Sequence, residues 1–218
     1  MVVAGFTRLD GMAEALDGCH VGVGKCLGLE ADGVGVVEVQ CCWTSPGRRE
    51  LIMTGNLSQV SRNAIYSMKD LVQASIVTIM DELGLPSQGL SLVKSGHDLH
   101  VHIEHGYQSV KPSYQMGAIV ISLVSLLIGR RPREDVILFG DVGNSAGQYS
   151  SNWTIDLGFV ADCARWGYRE AFVGDGTKVT DDAKAAAGVL QRDGRPLVKL
   201  TVFEGILDAI PLCFGEIQ

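Results

Sequence analysis

No lysine occurs between Lys111 and Lys178. That absence removes from the middle of the chain the one amine side chain able to take a proton from a hydroxyl nucleophile. No Cys-x-x-Cys pair occurs either, although the chain has six cysteines, Cys19, Cys26, Cys41, Cys42, Cys163 and Cys213. Neither a zinc ribbon nor a dithiol redox motif is therefore supported. There is no basic stripe: the net charge is −7, and the densest cluster of cations, Arg130, Arg131 and Arg133, follows an apolar run as a solvated helix exit does. This balance argues against nucleic-acid and anionic-membrane partners. The longest apolar run, Met116 to Ile128, is too short to span a bilayer and predicts a buried helix. No internal repeat or low-complexity linker interrupts the chain, and no charged-then-apolar leader with a cleavage site opens it. Buried, reduced thiols are the default for such cysteines. The expected compartment is thus an intracellular reducing one, the cytoplasm or a mitochondrial or other organellar matrix.

What is present is a globular chain of 218 residues with 46% hydrophobic content and a mean hydropathy of +0.19. That length suits one domain with a small appendage. Residues 1–20 read as an N-terminal arm and residues 21–218 as the domain. From Val21 to Trp43 the pattern is strand-like, with Val37, Val39 and Cys41 alternating with Glu38 and Gln40 around a turn at Ala31-Asp32-Gly33. A second turn, Thr44-Ser45-Pro46-Gly47, precedes a strand from Glu50 to Met53. The period then lengthens. Val60, Ala64, Ile65, Met68, Leu71, Val72, Ile76, Ile79, Met80 and Leu83 predict one long amphipathic helix, starting near Asn56 or Ser58 and stopped by Gly84 and Pro86. Leu99, Val101 and Ile103 alternate with His100, His102 and Glu104 as a strand. A central helix follows from about Met116 to Gly129, then a buried strand from Val136 to Phe139 and a helix from Leu157 to Trp166. A strand at Ala171 to Val173, a helix near Asp181 to Gln191, a strand from Leu197 to Phe203 and a last short helix complete the chain. This order predicts a single α+β or α/β domain.

Four segments, in order and with matching spacing, resemble the proteolytic domain of Lon-type ATP-dependent proteases. Thr54-Gly55-Asn56-Leu57-Ser58-Gln59-Val60 is similar to that family's Thr-Gly-x-Leu-x-x-Val stretch, and Asp98-Leu99-His100-Val101-His102 to its Asp-Ile-His-Val-His strand. Gly129 to Val136 resembles its Gly-Arg-Pro-Val-Arg-x-Asp-Val segment, and Phe139-Gly140-Asp141-Val142 its Thr-Gly-Glu-Ile turn. The resemblance runs from about Val21 to Leu212. It implies an α+β Lon proteolytic-domain fold of the ribosomal-S5-domain-2-like type and a serine endopeptidase ancestry with a Ser–Lys dyad.

The family's nucleophile stands in Pro-Lys-Asp-Gly-Pro-Ser-Ala-Gly at the mouth of the central helix. Here the stretch is Ser109-Val110-Lys111-Pro112-Ser113-Tyr114-Gln115-Met116-Gly117. An ungapped match puts Tyr114 on the nucleophile, and one inserted residue puts Ser113 there. Either way, bulky Tyr114, Gln115 and Met116 stand where small residues let substrate and backbone donors approach. The family's lysine base falls near Leu157, inside the lysine-free span, and Arg165 cannot replace it because a guanidinium does not deprotonate. A hydroxyl without a base keeps only a residual rate. The expectation is a degenerate Lon-like domain that acts as a scaffold, packing into a homo-oligomer such as a hexameric ring or against a partner AAA+ module. Small-molecule, peptide or protein binding in the vacated cleft is a further reading. The alternative is an active Lon-type serine endopeptidase in which Ser113 works with a histidine or a distant lysine.

Other signals carry less. His100 and His102 share a strand face, but no third metal ligand is identifiable beside them, or beside His97 and His105. Gly22-Val23-Gly24-Lys25 lacks the spacing and the hydroxyl of a phosphate loop and reads as strand and turn. Gly174-Asp175-Gly176-Thr177-Lys178 reads as a turn. No cofactor is expected in this chain, and ATP would act only through a separate motor module.

Overall fold

The computed structural model describes residues 22–30, 33–55, 57–104, 115–143, 147–150, 153–189 and 196–215. Strands β1 (Gly22–Glu30), β2 (Gly33–Thr44), β3 (Leu51–Thr54), β4 (Asp98–Glu104), β5 (Val136–Phe139), β9 (Glu170–Gly174) and β11 (Lys199–Phe203) form a seven-stranded sheet. Their order is β11-β9-β5-β1-β2-β4-β3. From β11 to β1 the neighbours run parallel; β2 is antiparallel to both β1 and β4, and β3 is parallel to β4. Two short pairs, β6 (Asp141–Val142) with β7 (Tyr149–Ser150) and β8 (Thr154–Ile155) with β10 (Lys178–Val179), lie outside it. The helices are α1 (Gln59–Ala74), α2 (Ile76–Glu82), α3 (Gln115–Ile128), α4 (Leu157–Arg165), α5 (Asp181–Ala187) and α6 (Ile206–Phe214). Mixed pairing with helices on both faces makes this an α+β domain.

Helix α3 is the structural axis. Every residue from Gly117 to Leu127 is buried, which is why its sequence is apolar nearly all round. It approaches β1 more closely than a side chain permits. A Cβ at Gly22 would run into the carbonyl oxygen of Ser122, and one at Gly24 into that of Ala118. The Gly-x-Gly of β1 therefore serves helix–sheet contact. Ser122 Oγ returns a hydrogen bond to the Gly22 carbonyl at 3.3 Å.

Strand alternation divides the interior in two. Val37, Val39, Cys41, Val101, Ile103 and Leu138 face α1, α3 and α6 in the larger cluster. Ile137, Phe139, Ala171 and Val173 face the other way, onto Phe159, Val160 and Cys163 of α4 and Ala183 and Ala187 of α5. Both neighbours of each β5 residue are thus apolar, as a strand buried on two faces requires.

The expected long helix is two. Ser75, at φ −100° and ψ 7°, ends α1, and α2 resumes at Ile76. The apolar spacing reads straight through the break because both pieces pack on one core. Helix α5 stops at Ala187, short of Gln191, with Gly188 as its cap. The expected solvated arginine exit holds for Arg130 and Arg131, which are exposed. It fails for Arg133, whose guanidinium bonds Asp135 at 3.0 Å and Glu170 at 2.6 Å. Cys41 and Cys42 point to opposite faces of β2, and the cysteines at 26, 41, 42, 163 and 213 are buried thiols outside any disulfide. Among the described residues no helix is long and apolar enough to cross a membrane.

Candidate active site

Ser113 and Tyr114, the alternative nucleophile positions, lie outside the described residues, as do Lys111 and His105. Their neighbour Gln115 opens α3 with its side chain fully buried, and its carboxamide has no hydrogen-bond partner among the described residues. This end of α3 lies over the carboxyl end of β5: a Cβ at Gly117 would rest against Leu138 at 3.5 Å and Ile206 at 3.8 Å. Beyond β5 the chain turns through Gly140 (φ 156°) into β6, where a buried Asp141 oxygen also lacks a partner among the described residues. Behind this region Tyr149 is fully buried and donates its hydroxyl proton to the Phe172 carbonyl at 2.9 Å. Burial drives its pKa well above the ordinary phenol value, so it is held neutral.

Helix α4 is where the resemblance puts the base. Asp156 caps it, its carboxylate accepting from the Phe159 N–H at 3.0 Å. Leu157, the expected lysine position, is the first residue of the helix and is 52% exposed. The residue of α4 that turns inward to β5 is Phe159. Its ring meets Phe139 edge-on, with centroids 5.0 Å apart and planes at 62°. Phe139 occupies the place of the threonine in the family's Thr-Gly-Glu-Ile turn. Ile155, Val160 and Cys163 complete the apolar surroundings, and burial pushes the Cys163 thiol up to about 12. Arg165 is turned outward, paired with Asp162 at 2.9 Å and lying over the Trp166 ring.

The nearest described lysine in sequence is Lys178. Parallel pairing of β10 with β8 sets it beside Thr154, just before α4, and it is exposed. Spacing alone does not disclose this neighbour, because it depends on a two-residue strand pair that carries no periodic signal.

The histidines of β4 have a different setting. The parallel register of β3 and β4 sets Thr54 beside His102 and Ile52 beside His100. The Thr54 hydroxyl lies 2.7 Å from His100 Nε2 and 2.9 Å from His102 Nδ1. One hydroxyl can donate to one ring nitrogen and accept from the other, so a single oxygen satisfies both rings. Burial, with a smaller contribution from His102, lowers the pKa of His100. His97 sits apart, bonded to the Ser95 carbonyl at 2.9 Å. Among the described residues no group of three His, Cys, Asp or Glu side chains is placed to hold a metal ion.

Comparison with known proteins agrees with this architecture. The family model for the Lon protease (S16) C-terminal proteolytic domain matches residues 10–149. A Lon protease of Methylocella silvestris is 29% identical over 98 residues, covering 45% of this chain and 11% of that protein. The shared segment thus spans about a tenth of that relative's length. A match over more than half the chain, together with the central helix and the turn into β6, leads to one conclusion: the chain belongs to the family of Lon-type C-terminal proteolytic domains.

Proposed function

We propose that this Lon-type domain has lost the Ser–Lys peptidase chemistry and acts as a scaffold. It packs against copies of itself, in a ring such as a hexamer, or against a partner AAA+ module. The observation that carries this reading is the Phe139–Phe159 ring pair. It fills with hydrocarbon the space between β5 and the helix on which the family carries its lysine. An amine there would be buried without a partner, which costs several kcal/mol on the order of an unpaired buried charge. Leu157 offers no remedy, since its side chain leaves the domain surface. Residues 21–218 form the scaffold unit and residues 1–20 an added arm. ATP enters only through a separate motor module, and a bound peptide or protein is not cut. The surface charge disfavours membranes and nucleic acids as partners.

Casein and fluorogenic peptides test the loss of activity. The wild-type chain and Ser113→Ala should release product at the same background rate, while sedimentation velocity should give a species larger than the 23.3 kDa monomer. Hydrolysis abolished by Ser113→Ala would overturn the reading.

The position of Lys178 favours one alternative, an active endopeptidase with Ser113 as nucleophile and a lysine supplied from β10 rather than α4. In that case hydrolysis would be lost on Lys178→Ala as well as on Ser113→Ala.

A further inference from the structure

The sheet is split between β1 and β5. These strands run parallel yet pair only at Cys26 and Leu138. Toward their amino ends, at Val23 and Val136, they part and open a cleft of about 320 Å³. Val23 and Pro132 offer its apolar surface, above the buried Ile121 of α3 and Leu138 of β5, and Lys25 and Glu38 line it on the face that α3 does not cover. The loop after α3 supplies the other wall through Arg131 and Glu134. The cleft lies toward the carboxyl end of α3, away from the nucleophile loop at its amino end, and does not depend on whether peptidase chemistry survives.

The charges on the two walls are not equally free. Arg133, also at the rim, is committed to Asp135 and Glu170. Lys25 and Glu38 touch at 3.8 Å, an ion pair too long for a hydrogen bond, so the ammonium protons remain available. Gln40 already donates to one Glu38 oxygen at 2.8 Å. Arg131 and Glu134 are exposed and make no ion pair among the described residues. The cleft therefore combines an apolar floor, sized for one aliphatic or aromatic side chain, with an uncommitted cation and an uncommitted anion on the same short loop. A simple carboxylate would leave the anion facing it, and a simple amine would leave the cation. A zwitterion satisfies both.

We propose that this cleft binds a free α-amino acid with an apolar side chain. The carboxylate is held by Arg131 with Lys25, the ammonium by Glu134 with Glu38, and the side chain rests on the half-buried Val23 and Pro132. Two-dimensional NMR of the full chain tests this, with L-leucine and L-phenylalanine as probes. The control probes are 4-methylpentanoate, which lacks the ammonium, and 3-methylbutylamine, which lacks the carboxylate. Arg131→Glu and Glu134→Lys are surface changes that should leave the unfolding midpoint in place. The expected result is saturable shifts at Val23, Ile121 and Val136 with at least one amino acid. Binding of each control probe, and of the amino acid to each variant, should be weaker by about tenfold or more. The proposal is overturned by the absence of saturable shifts with both amino acids. Control probes that bind as tightly as the amino acid, or variants that bind unchanged, overturn it equally.

Discussion

Helix α4, where the resemblance puts the base, and strand β4, which carries two histidines, dispose their side chains in opposite ways. The inner face of α4 is closed hydrocarbon, Phe159 on Phe139 with Val160 and Cys163 behind. The outer face of β4 is polar and holds His100 and His102, but both rings converge on Thr54. One region lacks a proton acceptor, and the other has two that are already engaged. For the proposed loss of chemistry the first matters more. A hydrogen bond to Thr54 can be exchanged for about 1 kcal/mol, whereas an amine cannot enter an aromatic core without rebuilding it.

The most disruptive test of this contrast is Phe159→Ala, which opens a cavity beneath Phe139. It should cost about 3–5 kcal/mol in urea denaturation. A cost under about 1 kcal/mol would mean that the ring pair does not hold the core.

Next, Thr54→Val removes the shared hydroxyl and should cost about 1 kcal/mol, with the NMR signals of both imidazoles moving together. Movement of only one would show that the hydroxyl serves a single ring.

The His100 titration sharpens the polar side. Its folded pKa lies below 6.5, so below that pH the unfolded chain binds more protons than the folded one and stability falls as pH falls. His102→Ala removes the neighbouring charge and should move the His100 pKa back toward 6.5, as followed by imidazole NMR.

A related acid limb tests the base of the strand that carries Phe139. Hydrogen bonding to Arg133 holds Asp135 below its usual range. For Glu170, burial opposes ionisation, but the bonds from Lys199 and Arg133 outweigh it. The stability both contribute is present above their unfolded values of 3.8 and 4.5 and is lost as pH falls through the folded ones. Arg133→Ala should flatten this limb in thermal unfolding between about pH 5 and pH 2.

The smallest effect belongs to Leu157→Lys. Because the side chain is exposed at the first turn of α4, the change should lie within about 0.5 kcal/mol of wild type and confer no peptide hydrolysis.

Much of this contrast was legible in the sequence, for identifiable reasons. Alternation in β2 and β4 gave both strands and their buried faces, because one face of that half-sheet is polar. The all-apolar run gave the central helix. The gap between Lys111 and Lys178 is plain in the sequence, and the proposed loss of the base starts from it. What spacing could not give was direction. The resemblance puts the lysine near Leu157, yet the cap at Asp156 sets the phase of α4 so that Phe159, two residues on, turns inward. Nor could it give the Thr54 bridge, since parallel pairing of β3 with β4 joins segments far apart in the chain. The break at Ser75 was hidden because α1 and α2 share one apolar register against the same core. The cleft between β1 and β5 arises from strands that part after a single pair, a property of the sheet and not of either strand.

Intact-mass measurement after incubation with a fluorophosphonate tests the proposed loss of peptidase chemistry on a persisting fold. The mass of the wild-type chain should not change. A stoichiometric adduct that disappears in Ser113→Ala would contradict it, because it would require an activated serine beside a base.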